Sequence, residues 1–200
     1  MPQNICINGR KIGPNEPPYV IAELSANHHG QLQQALKMLT LAKQAGADAL
    51  KLQTYRPDTI TLDCHSPDFQ ITSGPWKGQS LYALYASAYM PWEWHAPIFE
   101  AARTMEMTVF SSPFDTTAVD LLEELNAPAY KIASFEAIDL PLIRYAASTG
   151  KPMIISTGLA NADEIAEAVE AAHDAGCREI ALLHCVSGYP APARDSHLRT

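Results

Sequence analysis

Long apolar stretches are missing from this sequence: no run approaches the roughly 18 residues that would cross a membrane as a helix. The start MPQNICING has neither the basic n-region nor the apolar h-region of a secretory leader. The four cysteines, Cys6, Cys64, Cys177 and Cys185, form no CxxC pair, so the usual disulfide, zinc-ribbon and dithiol signals are absent. These absences read as free thiols in a reducing, cytoplasmic setting. Basic residues are scarce, 14 against 22 acidic ones for a net charge of −8. A binder of nucleic-acid backbones would need a basic face to displace counterions. A small anionic ligand stays open, provided that a few lysines gather in one cleft. No GxGxxG follows the first apolar run, no GxxxxGK[ST] occurs, and there is no HExxH, so the common nucleotide and zinc-hydrolase signatures are missing.

What is present is a repeating pattern. With 47% hydrophobic and 18% charged residues, the chain can bury a sizeable core and is not disordered, and one globular domain is the default expectation. Cys6 to Ile12, centred on Asn8-Gly9, predicts a small β-hairpin, because Asn-Gly suits a turn whose two central residues have positive φ. Gly13 to Pro18 then breaks regular structure. Strand-length apolar runs follow at Tyr19–Leu24, Ala49–Gln53, Thr108–Ser112, Ala129–Ser134, Met153–Thr157 and Ile180–Cys185, most of them separated by helix-like segments. Gln31 to Ala45 places Leu32, Ala35, Leu39, Ala42 and Ala45 on one stripe and stops at Gly46. Asp115 and Asp139 are expected to cap helices, the second with Pro141 in its first turn, and Asn161 with Glu164 makes a capping box.

Nearly continuous apolar strands joined by crossover helices imply a parallel sheet covered by helices. With nucleotide-binding motifs absent, a (β/α)8 TIM barrel explains more than a doubly wound sheet. Only six strands can be counted, so the expectation is residues 1–18 as an N-terminal hairpin and lead-in, and 19–200 as an incomplete barrel lacking its last two strands. Such an open barrel would expose strand edges and apolar surface. The longest gap, Thr54 to Pro91, carries Tyr82, Tyr85 and Tyr89 and runs into Trp92 and Trp94. It reads either as a loop over the active site or as a packed surface loop.

In such barrels catalytic groups sit at the carboxyl ends of strands. Lys51 lies between Leu50 and Leu52, and Lys131 between Tyr130 and Ile132. An ammonium on a buried strand is costly unless paired, and two at corresponding strand ends point to a shared anion. Ser112, Ser134 and Ser156 end three successive strands and Ser187 follows the sixth, so hydroxyls and nearby amides can complete an anion cradle. Glu23, Gln53 and Glu136 belong at the same strand ends. The two carboxylates can move protons or hold a hydroxyl, or simply pair with the lysines. His28 and His29 read as hydrogen-bonded loop or cap residues, because consecutive side chains seldom ligate one ion. His184 is left facing either a cleft or a helix, and Cys185 reads as a buried thiol.

The stretches IAELSANHHG, ADALKLQTY, FSSPFD, YKIAS, ISTG and LHCVSGYPAP closely resemble the N-acetylneuraminate synthase superfamily, in the right order and across essentially the whole chain. Within it, ELSANH, QTYRPDTITLD and GPWKGQSLYALYASAYMPWEWH look most like the pseudaminic acid branch, whereas the sialic and legionaminic acid branches more often have Gly where Ser25 stands. The resemblance implies a metal-dependent condensation of phosphoenolpyruvate with an open-chain N-acetylated amino sugar, giving a nine-carbon 2-keto acid and phosphate. For the pseudaminic branch the acceptor is 2,4-diacetamido-2,4,6-trideoxy-L-altrose; N-acetylneuraminate or legionaminic acid synthesis is the alternative. Carried over by position, Lys51, Ser112, Lys131, Ser134, Ser156 and Ser187 fall where the family binds phosphoenolpyruvate. Glu23, Gln53 and Glu136 fall on catalytic or sugar-side positions, and Asn27 and Tyr189 on sugar contacts. Ser112 stands where many relatives have Thr, and Ser187 where the sialic branch has Asn. The resemblance further implies a homodimer, and it expects the divalent metal's ligands (Mn2+ or Mg2+), the last strands and an antifreeze-like domain to lie beyond residue 200, leaving residues 1–200 inactive alone. Two other readings stay open: a Schiff-base aldolase using Lys51 or Lys131, and a non-catalytic phosphoenolpyruvate-binding remnant.

Overall fold

Residues 4–188 and 191–198 are described by the computed structural model. Its first element is the predicted hairpin. Strands β1 (Ile5–Ile7) and β2 (Arg10–Ile12) pair antiparallel, with Ile5 opposite Ile12 and Ile7 opposite Arg10. Asn8 and Gly9 have φ of +49° and +81°, the paired positive values that match a tight turn to the twist of its strands. Alternation buries Ile5 and Ile7. The backbone amide of Cys6 between them donates to Glu179 Oε1 at 2.8 Å, which fastens the hairpin to the residue before the last strand. The hairpin groups with residues 128–200 in one compact unit, and residues 19–127 form the other.

The 19–127 unit contains β3 (Ile21–Glu23), α1 (Leu32–Gln44), β4 (Ala49–Thr54), α2 (Pro57–Ile60), α3 (Leu81–Ala88), α4 (His95–Thr104), β5 (Thr108–Pro113) and α5 (Thr116–Glu124). Its strands run parallel in chain order, with Glu23 opposite Lys51 and Gln53 opposite Ser112. The middle strand, β4, is buried at every position but Gln53, as expected of a parallel strand covered on both faces. The first strand is shorter than its apolar run. Val20 N donates to the Asp48 carboxylate at 2.7 Å, and beyond Glu23 the chain turns left-handed at Ser25. Helix α1 buries Ala35 and Leu39, while Ala45, expected on the buried stripe, is exposed as its C-cap, followed by Gly46 at φ +86°. Asp115 caps α5 through the amides of Thr117 and Ala118, as predicted. The excursion after β4 is no bare loop: α2, α3 and two 3-10 turns at Pro67–Phe69 and Trp92–Trp94 occupy it.

The other unit continues with β6 (Tyr130–Ile132), α6 (Leu140–Ala147), β7 (Met153–Ser156), α7 (Ala162–Asp174) and β8 (Ile180–Leu183), again parallel in chain order. The predicted caps form. Asp139 accepts from Leu142 N, and Asn161 with Glu164 completes the reciprocal box. Strand β6 ends two residues before Ser134, because the chain coils into a 3-10 turn at Phe135–Ile138. All four residues of β7 are buried, whereas β8 exposes Leu182 and Leu183. Each unit repeats strand, crossover, parallel strand. The fold class is therefore α/β, with six strands of a (β/α)8 TIM barrel type preceded by a small antiparallel sheet.

Candidate functional site

In the 19–127 unit the chemistry gathers at the carboxyl ends of β3, β4 and β5. Side chains alternate along β4, so Lys51 and Gln53 share one face while Leu50, Leu52 and Thr54 share the other. Lys51 is 8% exposed, and burying an ammonium demands a partner. Glu23, opposite it on β3, supplies one at 2.6 Å from Nζ. Ser112 Oγ on β5 accepts from the same ammonium at 3.3 Å. The second oxygen of Glu23 accepts from Ser25 N at 3.0 Å, a bond that the left-handed φ of Ser25, +49°, makes available. Charge pairing between Glu23 and Lys51, one of the readings left open by the sequence, is thus present. Gln53 is half-buried in register with Ser112, and Asn27 is exposed, its side-chain amide donating to Leu24 O at 3.0 Å.

Behind this cluster, on the helix-covered face, lies a polar chain that the sequence did not single out. Thr54 Oγ1 is 2.8 Å from His95 Nε2 and 2.7 Å from Ser111 Oγ, and all three residues are completely buried. Burial lowers the His95 pKa to about 4, against the opposing pull of the Pro91 and Trp92 carbonyls. A signal existed: Thr54 and Ser111 are hydroxyl residues within strands otherwise facing a core, and His95 opens an amphipathic helix. Nearby, Tyr55 is buried edge-on to Tyr85 and Phe114, and the Arg56 guanidinium lies 3.9 Å from the Trp92 ring centre. Tyr85 and Trp92 of the excursion therefore pack back onto the residues that directly follow β4. His28 is buried edge-on to Trp94, with Nδ1 accepting from Gly30 N, and burial lowers its pKa. It is a packed loop histidine, while His29 is exposed at φ +49°.

In the 128–200 unit, Lys131 sits half-buried on β6, and Ser134 opens the following 3-10 turn. That turn holds Glu136, whose Oε2 is buried without a hydrogen-bond partner. Burial pushes its pKa up, partly offset by the Lys131 charge, so its carboxyl holds a proton to higher pH than an ordinary glutamate. Ser156 is buried at the end of β7. Thr157 bonds to Leu183 O through both its amide, at 3.2 Å, and its hydroxyl, at 2.9 Å. This draws Gly158 so close to the end of β8 that a Cβ there would collide with Ser187 Oγ and lie 3.1 Å from Cys185 O. The glycine of ISTG is required by that approach. His184 Nε2 lies 2.8 Å from Ser196 O, so it faces the following turn. Cys185, expected to be a buried thiol, is only half-buried, because β8 is open to solvent; the fully buried thiol is Cys177. Tyr189 lies outside the described residues. Among the described residues no group of three or more His, Cys, Asp or Glu could hold a metal ion.

Comparison with known proteins places this geometry in context. The chain is 46% identical over 183 residues to a pseudaminic acid synthase of Helicobacter pylori, which covers 92% of this chain and 54% of the relative. It is 32% identical over 205 residues to an N,N'-diacetyllegionaminic acid synthase of Legionella pneumophila, covering 57% of that protein. The chain spans about half the length of the curated relatives it matches. Among solved structures, an N-acetylneuraminic acid (sialic acid) synthetase from Leptospira borgpetersenii in complex with citrate matches 98% of this chain and 64% of its own, with a TM-score of 0.85 and 31% identity. A 3-deoxy-D-arabino-heptulosonate 7-phosphate synthase from Thermotoga maritima shares the fold at a TM-score of 0.64 and 18% identity. Residues 38–200 match the NeuB family, and the chain belongs to it.

Proposed function

We propose that this chain carries the phosphoenolpyruvate-binding half of a sugar-acid synthase that condenses phosphoenolpyruvate with an N-acetylated amino sugar and releases phosphate. The observation that carries the reading is the buried Lys51 ammonium, held between Glu23 and Ser112 at 2.6 and 3.3 Å, in a chain 46% identical to a pseudaminic acid synthase. A buried cation with a hydroxyl beside it offers charge-assisted hydrogen bonds to a phosphate or carboxylate. Glu23 alone already neutralises Lys51, so a polyanionic ligand requires a second cation. Lys131 is our candidate, with Ser134, Ser156 and Ser187 as additional donors.

The acid–base chemistry of the condensation is modest and fits the carboxyls available. As carbon-3 of phosphoenolpyruvate bonds to the sugar aldehyde carbon, the aldehyde oxygen takes up one proton. Water adding at carbon-2 gives up one, and the resulting tetrahedral centre loses phosphate. Glu136, whose pKa burial pushes up, is our candidate donor to the aldehyde oxygen, with Gln53 orienting substrate and Asn27 and Tyr189 contacting the sugar. Identity favours 2,4-diacetamido-2,4,6-trideoxy-L-altrose as acceptor over the legionaminic or sialic acid precursors. The ion pair already made by Lys51 speaks against its use as a neutral Schiff-base nucleophile.

The test uses the protein expressed from its natural gene, with phosphoenolpyruvate, Mn2+ and each candidate sugar, following phosphate release. Release that needs both substrates, fastest with the altrose derivative, is expected. Lys51→Met should weaken phosphoenolpyruvate binding roughly 10- to 100-fold, the loss of one charge-assisted bond. Wild-type binding by that variant, or no phosphate release with any of the sugars, overturns the reading.

A further inference from the structure

The polar chain on the far side of β4 from Lys51 has no part in the reading above, yet it is the most deeply buried polar group of its unit. Three fully buried residues from three elements, Thr54 at the end of β4, Ser111 near the end of β5 and His95 at the start of α4, meet through one hydroxyl at 2.7 and 2.8 Å. Its location is informative. Thr54 pairs with Pro113 in the strand register, and proline has no amide hydrogen to give to the ladder. Where backbone pairing of β4 and β5 runs out, the diagonal side-chain tie from Thr54 to Ser111 takes over. Ser111 is followed directly by Ser112, the hydroxyl that accepts from Lys51. On β4, Thr54 follows directly on Gln53, which lies opposite Ser112.

His95 adds a third anchor. It follows the excursion of 40 residues from Tyr55 to Trp94, so its bond to Thr54 ties the return of that excursion to the strand it left. An apolar side chain in place of His95 would fill the space but leave the hydroxyl pair free to rotate. A neutral imidazole fixes which way Thr54 Oγ1 points, and through it the spacing of the two strand ends. We propose that the His95–Thr54–Ser111 chain is a positioning device for the anion site, holding Ser112 at hydrogen-bonding distance from Lys51. The three residues touch no substrate. The inference rests on the reading of Lys51 and Ser112 as phosphoenolpyruvate ligands.

The experiment compares near-isosteric pairs: Thr54→Val against Thr54→Ser, and His95→Leu against His95→Gln. Steady-state kinetics of the natural full-length protein are read beside amide exchange at residues 52–54 and 110–112. Thr54→Val and His95→Leu should raise the KM for phosphoenolpyruvate about 10-fold while leaving the sugar KM within about 2-fold, and should speed exchange at both strand ends. Thr54→Ser and His95→Gln, which keep a hydrogen-bonding group, should restore most of both. A wild-type phosphoenolpyruvate KM in the Val and Leu variants overturns the proposal, as does an equal rise in both KM values, which would mark a merely structural role. Should the wild-type protein neither bind nor turn over phosphoenolpyruvate, the functional reading fails separately, and exchange decides: acceleration by Val that Ser reverses keeps the strand pin, and unchanged exchange removes it.

Discussion

Ser25 shows how one backbone angle reaches the chemistry. At φ +49° it occupies the left-handed region, which costs an L-residue about 1–2 kcal/mol, and the return is an amide aimed at Glu23 Oε1. Glycine would adopt the same angle without a Cβ penalty. Ser25→Gly should leave stability within about 1 kcal/mol of wild type, since relief of the angle is offset by a more mobile unfolded chain. Ser25→Val, β-branched at positive φ, should lose roughly 1–3 kcal/mol in urea denaturation; a Val variant as stable as the Gly variant would contradict the account. Glu136 carries the second residue-scale prediction. If it donates a proton in the condensation, the rate falls as pH rises through its elevated pKa, because the donor is lost on ionisation. Glu136→Gln should lower kcat about 100-fold or more and abolish that alkaline limb. A Gln variant retaining the limb would assign the proton to another group.

Elements were the most legible scale, and the reason is local. The hairpin follows from Asn8-Gly9, whose two positive φ values need only neighbouring residues, and α5, α6 and α7 start where Asp115, Asp139 and Asn161 can accept from exposed helix amides. Asn161→Ala should cost about 1 kcal/mol, lowering the melting temperature by about 2–4 °C in a chain of this size. No change would mean that α7 is held by packing alone. Strand runs also located β3 to β8, although β3 and β6 end early where Ser25 and the turn at Phe135 divert the chain. The candidate site was legible where it depends on face: Lys51 and Gln53 are two apart, and Ser112 is a strand-end hydroxyl. Sequence did not decide how Glu23 is used, because the 2.6 Å pair with Lys51 depends on β3–β4 register. His95 was missed for the same reason. Its partner Thr54 is 41 residues away, and the one local signal, a histidine opening an amphipathic helix, does not say what it bonds to.

For the molecule as a whole, two histidines kept neutral by burial, His28 and His95, make stability depend on pH. An unfolded histidine binds its proton at about pH 6.5, whereas His95 in the fold resists protonation down to about pH 4. Between those values the unfolded chain holds the extra proton, so stability rises with pH across the window and falls as the solution is acidified through it. The contribution is complete above about pH 6.5 and is lost by about pH 4. For His95 the difference corresponds to roughly 3 kcal/mol, a large share of a domain's typical margin. Carboxylates that titrate below about pH 5 add their own loss, so the informative quantity is the difference between the wild-type and His95→Gln profiles in urea denaturation from pH 7.5 to 4. The variant should be less stable than wild type at neutral pH and should close the gap on acidification, with most of the convergence between pH 6.5 and 4.5. Parallel profiles would mean that the imidazole is protonated equally in both states, and the picture of a neutral histidine locked behind β4 would fall.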